Sequence, residues 1–236
     1  MQPNLIQFIL NDQFMNIDFE KSGISPTLTL LNYLRGNPEF CGVKEGCAEG
    51  DCGACTVVIG EEEKGKLIYK AIDSCLLFLP MLHGKQVITV EYLSLNGGLH
   101  PVQEQMVLNN GSQCGFCTPG IIMSLFALYK NHQNPTGEVI NDYLTGNLCR
   151  CTGYKSIVTS ASISCMKDGK DKFSASENEI LSRLSKIKTR KESISIHSGL
   201  QSYIKVFTLK DALTLRRKKT DAILISGATD IALRVT

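Results

Sequence analysis

Residues 46–55 read GCAEGDCGAC and contain three of the ten cysteines of the chain. Cys47 and Cys52 enclose four residues, Cys52 and Cys55 enclose two, and Cys75 follows after nineteen more, which gives C-x4-C-x2-C-x19-C. This is the spacing of a plant-type 2Fe-2S site, in which one loop provides three thiolates and a separate element provides the fourth. The intervening glycines allow the loop to adopt positive φ and bring its backbone N–H groups close to the sulfurs.

A second set of four cysteines has the spacing C-x2-C-x31-C-x-C and consists of Cys114, Cys117, Cys149 and Cys151. Each pair lies at a predicted helix boundary, so helix ends that face each other are expected to hold a cluster at the centre of a four-helix arrangement. Zinc sites with four cysteines can have a similar spacing. Taken alone, this set leaves iron–sulfur and zinc open, and zinc or free buried thiols are the weaker alternatives for the first set.

Two cysteines belong to neither set. We expect Cys41 to be a bystander thiol, with a redox-active or alternative ligand as the other interpretation, and Cys165 to be a packing residue on a helix. The four histidines form no motif, and the sequence contains no nucleophile–base pair, Walker loop or G-x-G-x-x-G. We therefore predict no catalytic residue, and the pattern favours electron transfer over conversion of a substrate.

The composition argues against several classes of protein. The 236 residues have a formal net charge of +2, which is too close to neutral for a dedicated nucleic-acid binder. The longest apolar runs are well below the roughly 18 residues that cross a bilayer. The first ten residues contain no Lys or Arg and do not resemble a secretory signal. We therefore expect a cytoplasmic protein without a membrane partner, whose closely spaced thiols bind metal rather than form disulfides.

The sequence predicts two domains within residues 1–166. Residues 1–91 are predicted to be an α+β domain and residues 92–166 an all-α domain. The α+β part has a predicted hairpin over 4–10 and 14–19, a helix from Ser25 to Leu34, and strands over 56–59, 67–72 and 87–90. The all-α part has predicted helices over 100–109, 119–131, 136–144 and 153–166.

The remaining residues are less regular. Residues 167–201 combine many charges with several serines and are predicted to be a solvated linker with a short helix over 180–187, or alternatively a partner-docking segment. Residues 202–236 are predicted to contain a helix over 209–218, a strand over 222–225 and a tight turn before 230–235. About 35 residues cannot bury a core, so we expect them to open a domain whose remainder is absent.

Four stretches resemble the iron–sulfur portion of the molybdenum hydroxylases, the xanthine dehydrogenase and aldehyde oxidase family. They are GVKEGCAEGDCGACTVVIG (42–60), SCLLFLPMLHGKQVITVE (74–91), QCGFCTPGIIMSLFAL (113–128) and LTGNLCRCTGYKSIV (144–158). The resemblance implies a β-grasp ferredoxin-like domain and a four-helix domain, each with one 2Fe-2S cluster. It further implies that electrons pass from a molybdopterin centre on a partner large subunit, through the second cluster and then the first, to FAD and on to NAD or another acceptor.

Two more sites follow from the resemblance only. Gln113 matches a glutamine that hydrogen-bonds the pterin of the molybdenum cofactor. The tail resembles the opening of the family's FAD domain, as in the small subunit of bacterial xanthine dehydrogenases, and its candidate flavin contacts are Ser226, Gly227, Ala228, Thr229 and Asp230. Without the resemblance, this turn is also consistent with a plain strand-to-helix connection. Because most of that domain is missing, we expect this chain to bind FAD weakly or not at all and to be catalytically incomplete.

Overall fold

The computed structural model describes residues 4–94, 97–166, 171–188, 193–199 and 201–235. The first part of the chain forms five strands, β1 (Leu5–Leu10), β2 (Gln13–Asp18), β3 (Thr56–Glu63), β4 (Lys66–Asp73) and β5 (Gln86–Ile88), and two short helices, α1 (Phe19–Ser22) and α2 (Leu30–Arg35). The strands make one sheet in the order β2-β1-β5-β3-β4. β1 and β5 are parallel, and the other neighbouring strands are antiparallel.

Two hairpins supply four of these strands, as predicted. In the first hairpin, Asn11 adopts a φ of 59°, a left-handed conformation that asparagine tolerates at turns. In the second hairpin, the pairing runs from Thr56 opposite Asp73 to Glu63 opposite Lys66, so both strands are longer than predicted. The short strand β5 then pairs with one strand from each hairpin and makes the sheet continuous.

The helix predicted from Ser25 to Leu34 begins later than expected. We expected it to begin at Ser25, but α2 begins at Leu30, and the Thr29 side chain caps it. The difference arises because residues 28–30 exchange backbone hydrogen bonds with residues 77–79. A backbone segment that bonds to a distant segment in this way is not available for the hydrogen bonds of a helix.

The second part of the chain contains the four predicted helices, each within two residues of the predicted bounds. Every residue from Gly120 to Tyr129 is buried, so one helix forms the centre of this part. The ring of Phe126 on that helix packs edge-on against Tyr69 of β4, with centroids 5.9 Å apart. The helical part and the sheet therefore share a continuous core. The helices are α3 (Pro101–Leu108), α4 (Thr118–Asn131), α5 (Gly137–Leu144) and α6 (Lys155–Ser164).

A long helix, α7 (Lys172–Lys188), occupies most of the segment predicted to be a solvated linker. The carboxylate of Asp171 accepts a hydrogen bond from the Ser174 amide at 2.7 Å and pairs with Lys130 of α4 at 2.8 Å. The short helix predicted over 180–187 lies within α7, but the helix is longer than predicted and is not a solvated linker, because apolar residues recur at helical spacing among its charges. Residues 167–170, 189–192 and 200 of the predicted linker lie outside the described residues. The apolar side chains of α7 that join the core are Phe173, Ile180, Leu184 and Ile187.

The last described part begins with an unpredicted hairpin. β6 (Ile194–Ser198) and β7 (Gln201–Lys205) are antiparallel, and Ile194 and Ile196 are buried against the apolar core of the sheet. The next helix, α8 (Leu209–Lys218), has the predicted bounds, and the Thr208 side chain caps it as predicted. A short helix, α9 (Ala232–Val235), follows near the end of the described residues.

The strand predicted over residues 222–225 does not form. Ile223 and Leu224 are 66% and 69% exposed, and no described strand lies beside them to accept their backbone hydrogen bonds. An apolar run without a pairing partner does not make a strand. In the part of the chain that the structure describes, no helix is both long and apolar enough to cross a membrane.

Candidate iron–sulfur sites

The loop of residues 46–55 surrounds Cys47 with backbone donors. The Cys47 Sγ accepts hydrogen bonds from the amides of Glu49, Asp51 and Cys52 at 3.3–3.4 Å. Burial alone would raise the pKa of Cys47, but these amide donors and a bond with the Cys52 side chain outweigh burial, and the pKa lies below its usual value. The loop therefore stabilises a thiolate at Cys47, which is the form that binds metal.

The other two cysteines of the first set are buried. Cys55 immediately precedes β3, and Cys75 lies just after β4, so the pairing of Thr56 with Asp73 brings them together. A hydrogen bond with the Cys75 side chain, followed by burial, raises the pKa of Cys55, and the same bond lowers the pKa of Cys75. The Ser74 Oγ donates to the Cys55 carbonyl at 2.7 Å and holds the two strand ends in contact.

Two glycines allow this loop to close tightly. Gly50 has a φ of +77°, and an added Cβ would lie 2.1 Å from the Cδ1 of the buried Leu76. A Cβ on Gly46 would lie 2.7 Å from the Cys52 Sγ. The structure thus agrees with the expectation that glycines shape the loop, since a larger residue at either position would displace a neighbour.

The second set of cysteines lies where helix ends meet. Cys117 is the N-cap residue of α4, while Cys149 and Cys151 lie between α5 and α6. The Cys114 and Cys151 sulfurs are 3.7 Å apart, and both residues are exposed. Burial, followed by a hydrogen bond with Cys149, raises the pKa of Cys117 to about 12. Helix ends therefore bring these four sulfurs together as two pairs, as the predicted boundaries suggested.

The pairing of sulfurs fits a two-iron cluster at each set. Two thiolates on one tetrahedral metal ion, at bond lengths of about 2.3 Å, lie about 3.8 Å apart. Within the described ranges, no three His, Cys, Asp or Glu side chains are grouped so as to hold one metal ion. A 2Fe-2S cluster instead distributes four thiolates over two irons, so two pairs per set match its needs. The Cys114 and Cys151 sulfurs are 3.7 Å apart, and the side chains that shift each other's pKa are Cys47 with Cys52, Cys55 with Cys75, and Cys117 with Cys149.

The two cysteine loops are in direct backbone contact. The amide of Leu148, which precedes Cys149, donates to the Cys52 carbonyl at 3.0 Å. Next to this bond, Gly53 has a φ of +68°, and an added Cβ would lie 2.1 Å from the Gly146 carbonyl oxygen. The cysteine motifs did not predict this junction, although a glycine in each loop is a signal for a close backbone approach.

Two polar side chains beside the second set were also missed. Asn147 is buried between the loops. Tyr154 adopts a φ of 67°, and its hydroxyl accepts a hydrogen bond from the Cys149 amide at 2.6 Å. The only sequence signal was their position on either side of the second cysteine pair, in GNLCRCTGY.

Three other predicted residues can be located. Gln113 is exposed and adjoins Cys114. Cys165 is 2% exposed and packs in the helical core, which confirms its predicted packing role. Cys41 is exposed and follows a short turn before the first loop.

The turn that the resemblance assigns to flavin lies at the surface. Gly227 and Ala228 both have positive φ, at 78° and 66°, and the side chain of Ala228 is buried against the core of the sheet. Asp230 pairs with Arg234 at 2.8 Å. Ser226 and Thr229 are exposed. The turn is therefore exposed on both sides of the buried Ala228, and it connects to α9 rather than following a strand.

Comparison with known proteins gives a consistent result. Residues 89–162 match the model of the 2Fe-2S binding domain family, and this range contains the whole second set. The chain is 34% identical over 246 aligned residues to xanthine dehydrogenase/oxidase from Mus musculus, covering 89% of this chain and 18% of the relative. It is 48% identical over 152 residues to xanthine dehydrogenase from Blastobotrys adeninivorans, covering 63% of this chain and 11% of the relative.

Solved structures agree with these similarities. Quinoline 2-oxidoreductase from Pseudomonas putida 86 superposes with a TM-score of 0.58 at 25% identity, over 77% of this chain and 96% of that one. Aldehyde oxidoreductase from Desulfovibrio desulfuricans superposes with a TM-score of 0.60 at 30% identity, over 70% of this chain and 18% of that one. This chain thus spans less than a fifth of the length of the curated relatives above. With its paired cysteines and its 2Fe-2S binding domain, the chain belongs to the iron–sulfur part of the molybdenum hydroxylase family, which includes xanthine dehydrogenase and aldehyde oxidase.

Proposed function

We propose that this chain is the electron-transfer part of a molybdenum hydroxylase and binds two 2Fe-2S clusters. The observation that carries the proposal is the grouping of eight cysteines into two sets of four, in which neighbouring side chains interact in pairs. When bound, each cluster supplies a site that accepts and donates one electron. The first set of ligands is Cys47, Cys52, Cys55 and Cys75, and the second set is Cys114, Cys117, Cys149 and Cys151.

The surroundings of the sulfurs support this assignment. In the first loop, three backbone N–H groups stabilise negative charge on Cys47. In the second, Thr152 Oγ1 lies 3.1 Å from the Cys149 Sγ, and Tyr154 holds the Cys149 amide. Hydrogen bonds near the sulfurs tune the reduction potential of an iron–sulfur cluster. The two sites have different donors, so we expect two different potentials.

We further propose a direction for the electrons. They arrive from a molybdopterin centre on a large partner subunit, reach the second set first, and leave from the first set towards FAD and then NAD or another acceptor. The exposure of Cys114, Cys151 and Gln113 supports this order, because a partner can approach the second set closely. The names of the relatives, which include dehydrogenases and oxidoreductases, support the redox role. In this proposal the turn from Ser226 to Asp230 contributes backbone contacts to the flavin.

Metal analysis tests the proposal directly. Protein purified without oxygen is expected to contain about four irons and four acid-labile sulfides per chain, because each cluster has two of each. Cys165→Ser is a matched control, since this buried cysteine belongs to neither set and its loss should leave the iron content unchanged. Stoichiometric zinc without labile sulfide would contradict the proposal and favour a zinc-stapled structural module.

A further inference from the structure

Asn147 is a buried amide between the two cysteine loops, and the proposed function does not yet give it a role. The residue is 3% exposed, and each polar atom of its side chain is bonded. Its Nδ2 donates to the Gly53 carbonyl at 3.0 Å and to the Thr56 Oγ1 at 3.1 Å. Its Oδ1 accepts from the Ser124 Oγ at 2.5 Å. One side chain therefore ties together the first loop, β3 and α4.

The position of Asn147 in the chain places these bonds beside both sets of ligands. Gly53, which it holds, directly follows Cys52 of the first set. Asn147 itself lies two residues before Cys149 of the second set. Between them, the amide of Leu148 donates to the Cys52 carbonyl at 3.0 Å. A shift of Asn147 would therefore move one cysteine loop relative to the other.

The space around the Gly53 carbonyl leaves little freedom for other arrangements. A Cβ on Gly120 of α4 would lie 2.1 Å from this oxygen, and a Cβ on Gly53 would lie 2.5 Å from the Asn147 Nδ2. The Gly53 backbone is thus packed against α4 on one side and against the Asn147 side-chain amide on the other. An asparagine suits the position because it offers two donors and an acceptor at once, which neither a carboxylate nor an apolar side chain does.

We propose that Asn147 is a positioning residue that fixes the separation and orientation of the two sets of cysteine sulfurs. Its effect is on the electronic coupling between the two bound clusters, and the inference rests on the proposed function. The energetic basis is the buried amide, because its loss removes the hydrogen bonds that join residue 147 to the Gly53 carbonyl and the Thr56 Oγ1. The Gly53 carbonyl then keeps only its bonds from Thr56, which lie within the sheet domain. The residue touches the cysteine loops and not the metal ligands' sulfurs.

The test compares Asn147→Asp with Asn131→Asp in anaerobically purified holoprotein. Asn131 is a matched control, because its Nδ2 also bridges the two parts of the molecule, donating to the Tyr69 carbonyl at 2.6 Å, away from the cysteines. The readout is the magnetic interaction between the two reduced centres in electron paramagnetic resonance, together with iron content and the thermal midpoint. We expect wild type and Asn131→Asp to show the same splitting, and Asn147→Asp to keep its iron but lose that splitting.

A milder variant covers the case in which Asn147→Asp does not retain its clusters. Ser124→Ala removes only the hydroxyl that bonds the Asn147 Oδ1, and it is expected to reduce the splitting. If both variants keep their iron, unchanged splitting in both overturns the inference. If Asn147→Asp loses iron, unchanged splitting in Ser124→Ala alone overturns it. A wild-type spectrum with two signals and no interaction also overturns it. Absence of iron and of both signals in wild type instead overturns the proposed function, so the two failures are distinguishable.

Discussion

The two cysteine sets achieve the same pairing of sulfurs by different means. Three cysteines of the first set lie in one loop whose own amides and glycines surround the sulfurs, and Cys75 joins them from the end of β4, with Cys55 and Cys75 buried. The second set is built by the ends of separate helices, and Cys114 and Cys151 remain exposed. The first site therefore depends on local backbone geometry, whereas the second depends on how the bundle packs.

The largest effect is expected when one cysteine of either set is replaced, because each substitution should remove one cluster and leave the other. Cys52→Ser removes a soft thiolate ligand and should lose the first cluster, leaving about two of four irons. Cys149→Ser should lose the second cluster and spare the first. Iron content and the electron paramagnetic resonance of the reduced protein measure both effects. If both substitutions removed the same signal, the assignment of two independent sites would be wrong.

The second largest effect is expected from Gly53→Ala, which disrupts the backbone contact between the two cysteine loops. Gly53→Ala places a methyl group against the Gly146 carbonyl and also strains a residue with a φ of +68°. Together these effects should lower the free energy of unfolding by about 3 kcal/mol or more. The measurement is the midpoint of denaturant unfolding, with iron content determined on the same samples.

Gly115→Ala is the matched control for this junction variant. Gly115 lies between Cys114 and Cys117 of the second set with a φ of +85°, but an added Cβ would meet nothing within 4 Å. Its cost should be limited to backbone strain, about 1 kcal/mol. Equal losses for the two glycine variants would show that backbone strain, and not the contact between the loops, accounts for the effect.

Low pH is expected to destabilise the sheet domain, because the buried His83 has a lowered pKa. Burial, and then the charge of Lys205, lowers its pKa to about 4, and its Nδ1 accepts from the Gln7 amide at 3.1 Å. The unfolded chain takes up this proton near pH 6.5, so the contribution to stability is present above that pH and is lost as the pH falls towards 4. After allowance for partial solvation, wild type should lose about 1 kcal/mol more than His83→Gln between pH 7 and pH 5. Denaturant midpoints at the two pH values measure the difference, and parallel losses in both proteins would contradict it.

The smallest effect is expected outside both loops. Cys41 is exposed, and its side chain belongs to neither group of paired sulfurs. Cys41→Ser should change the free energy of unfolding by less than about 0.5 kcal/mol and leave both resonance signals intact. Loss of the first signal in this variant would instead support the alternative interpretation of Cys41 as a ligand.

The parts of the structure that the sequence predicts well are those determined by nearby residues. The loop of residues 46–55, the two hairpins and the four helices of the bundle follow from local spacing, turns and caps. Asn147 was missed because its partner Gly53 lies 94 residues away, and a buried asparagine has no local signature. The burial of α7 was missed because its charges outnumber the apolar residues that reach the core. The strand over 222–225 was predicted wrongly because pairing depends on a neighbour that composition does not reveal.

The central place of β5 in the sheet has a consequence for the timing of synthesis. Each hairpin pairs its own two strands, but only residues 86–88 join the two hairpins into one sheet. Cys52 precedes Ile88 by 36 residues. At a translation rate of about 5–20 residues per second, the thiols of the first loop leave the ribosome roughly 2–7 s before the sheet that frames them is complete. The complete site of four thiolates, framed by the whole sheet, therefore exists only after Cys75 and β5 have been synthesised.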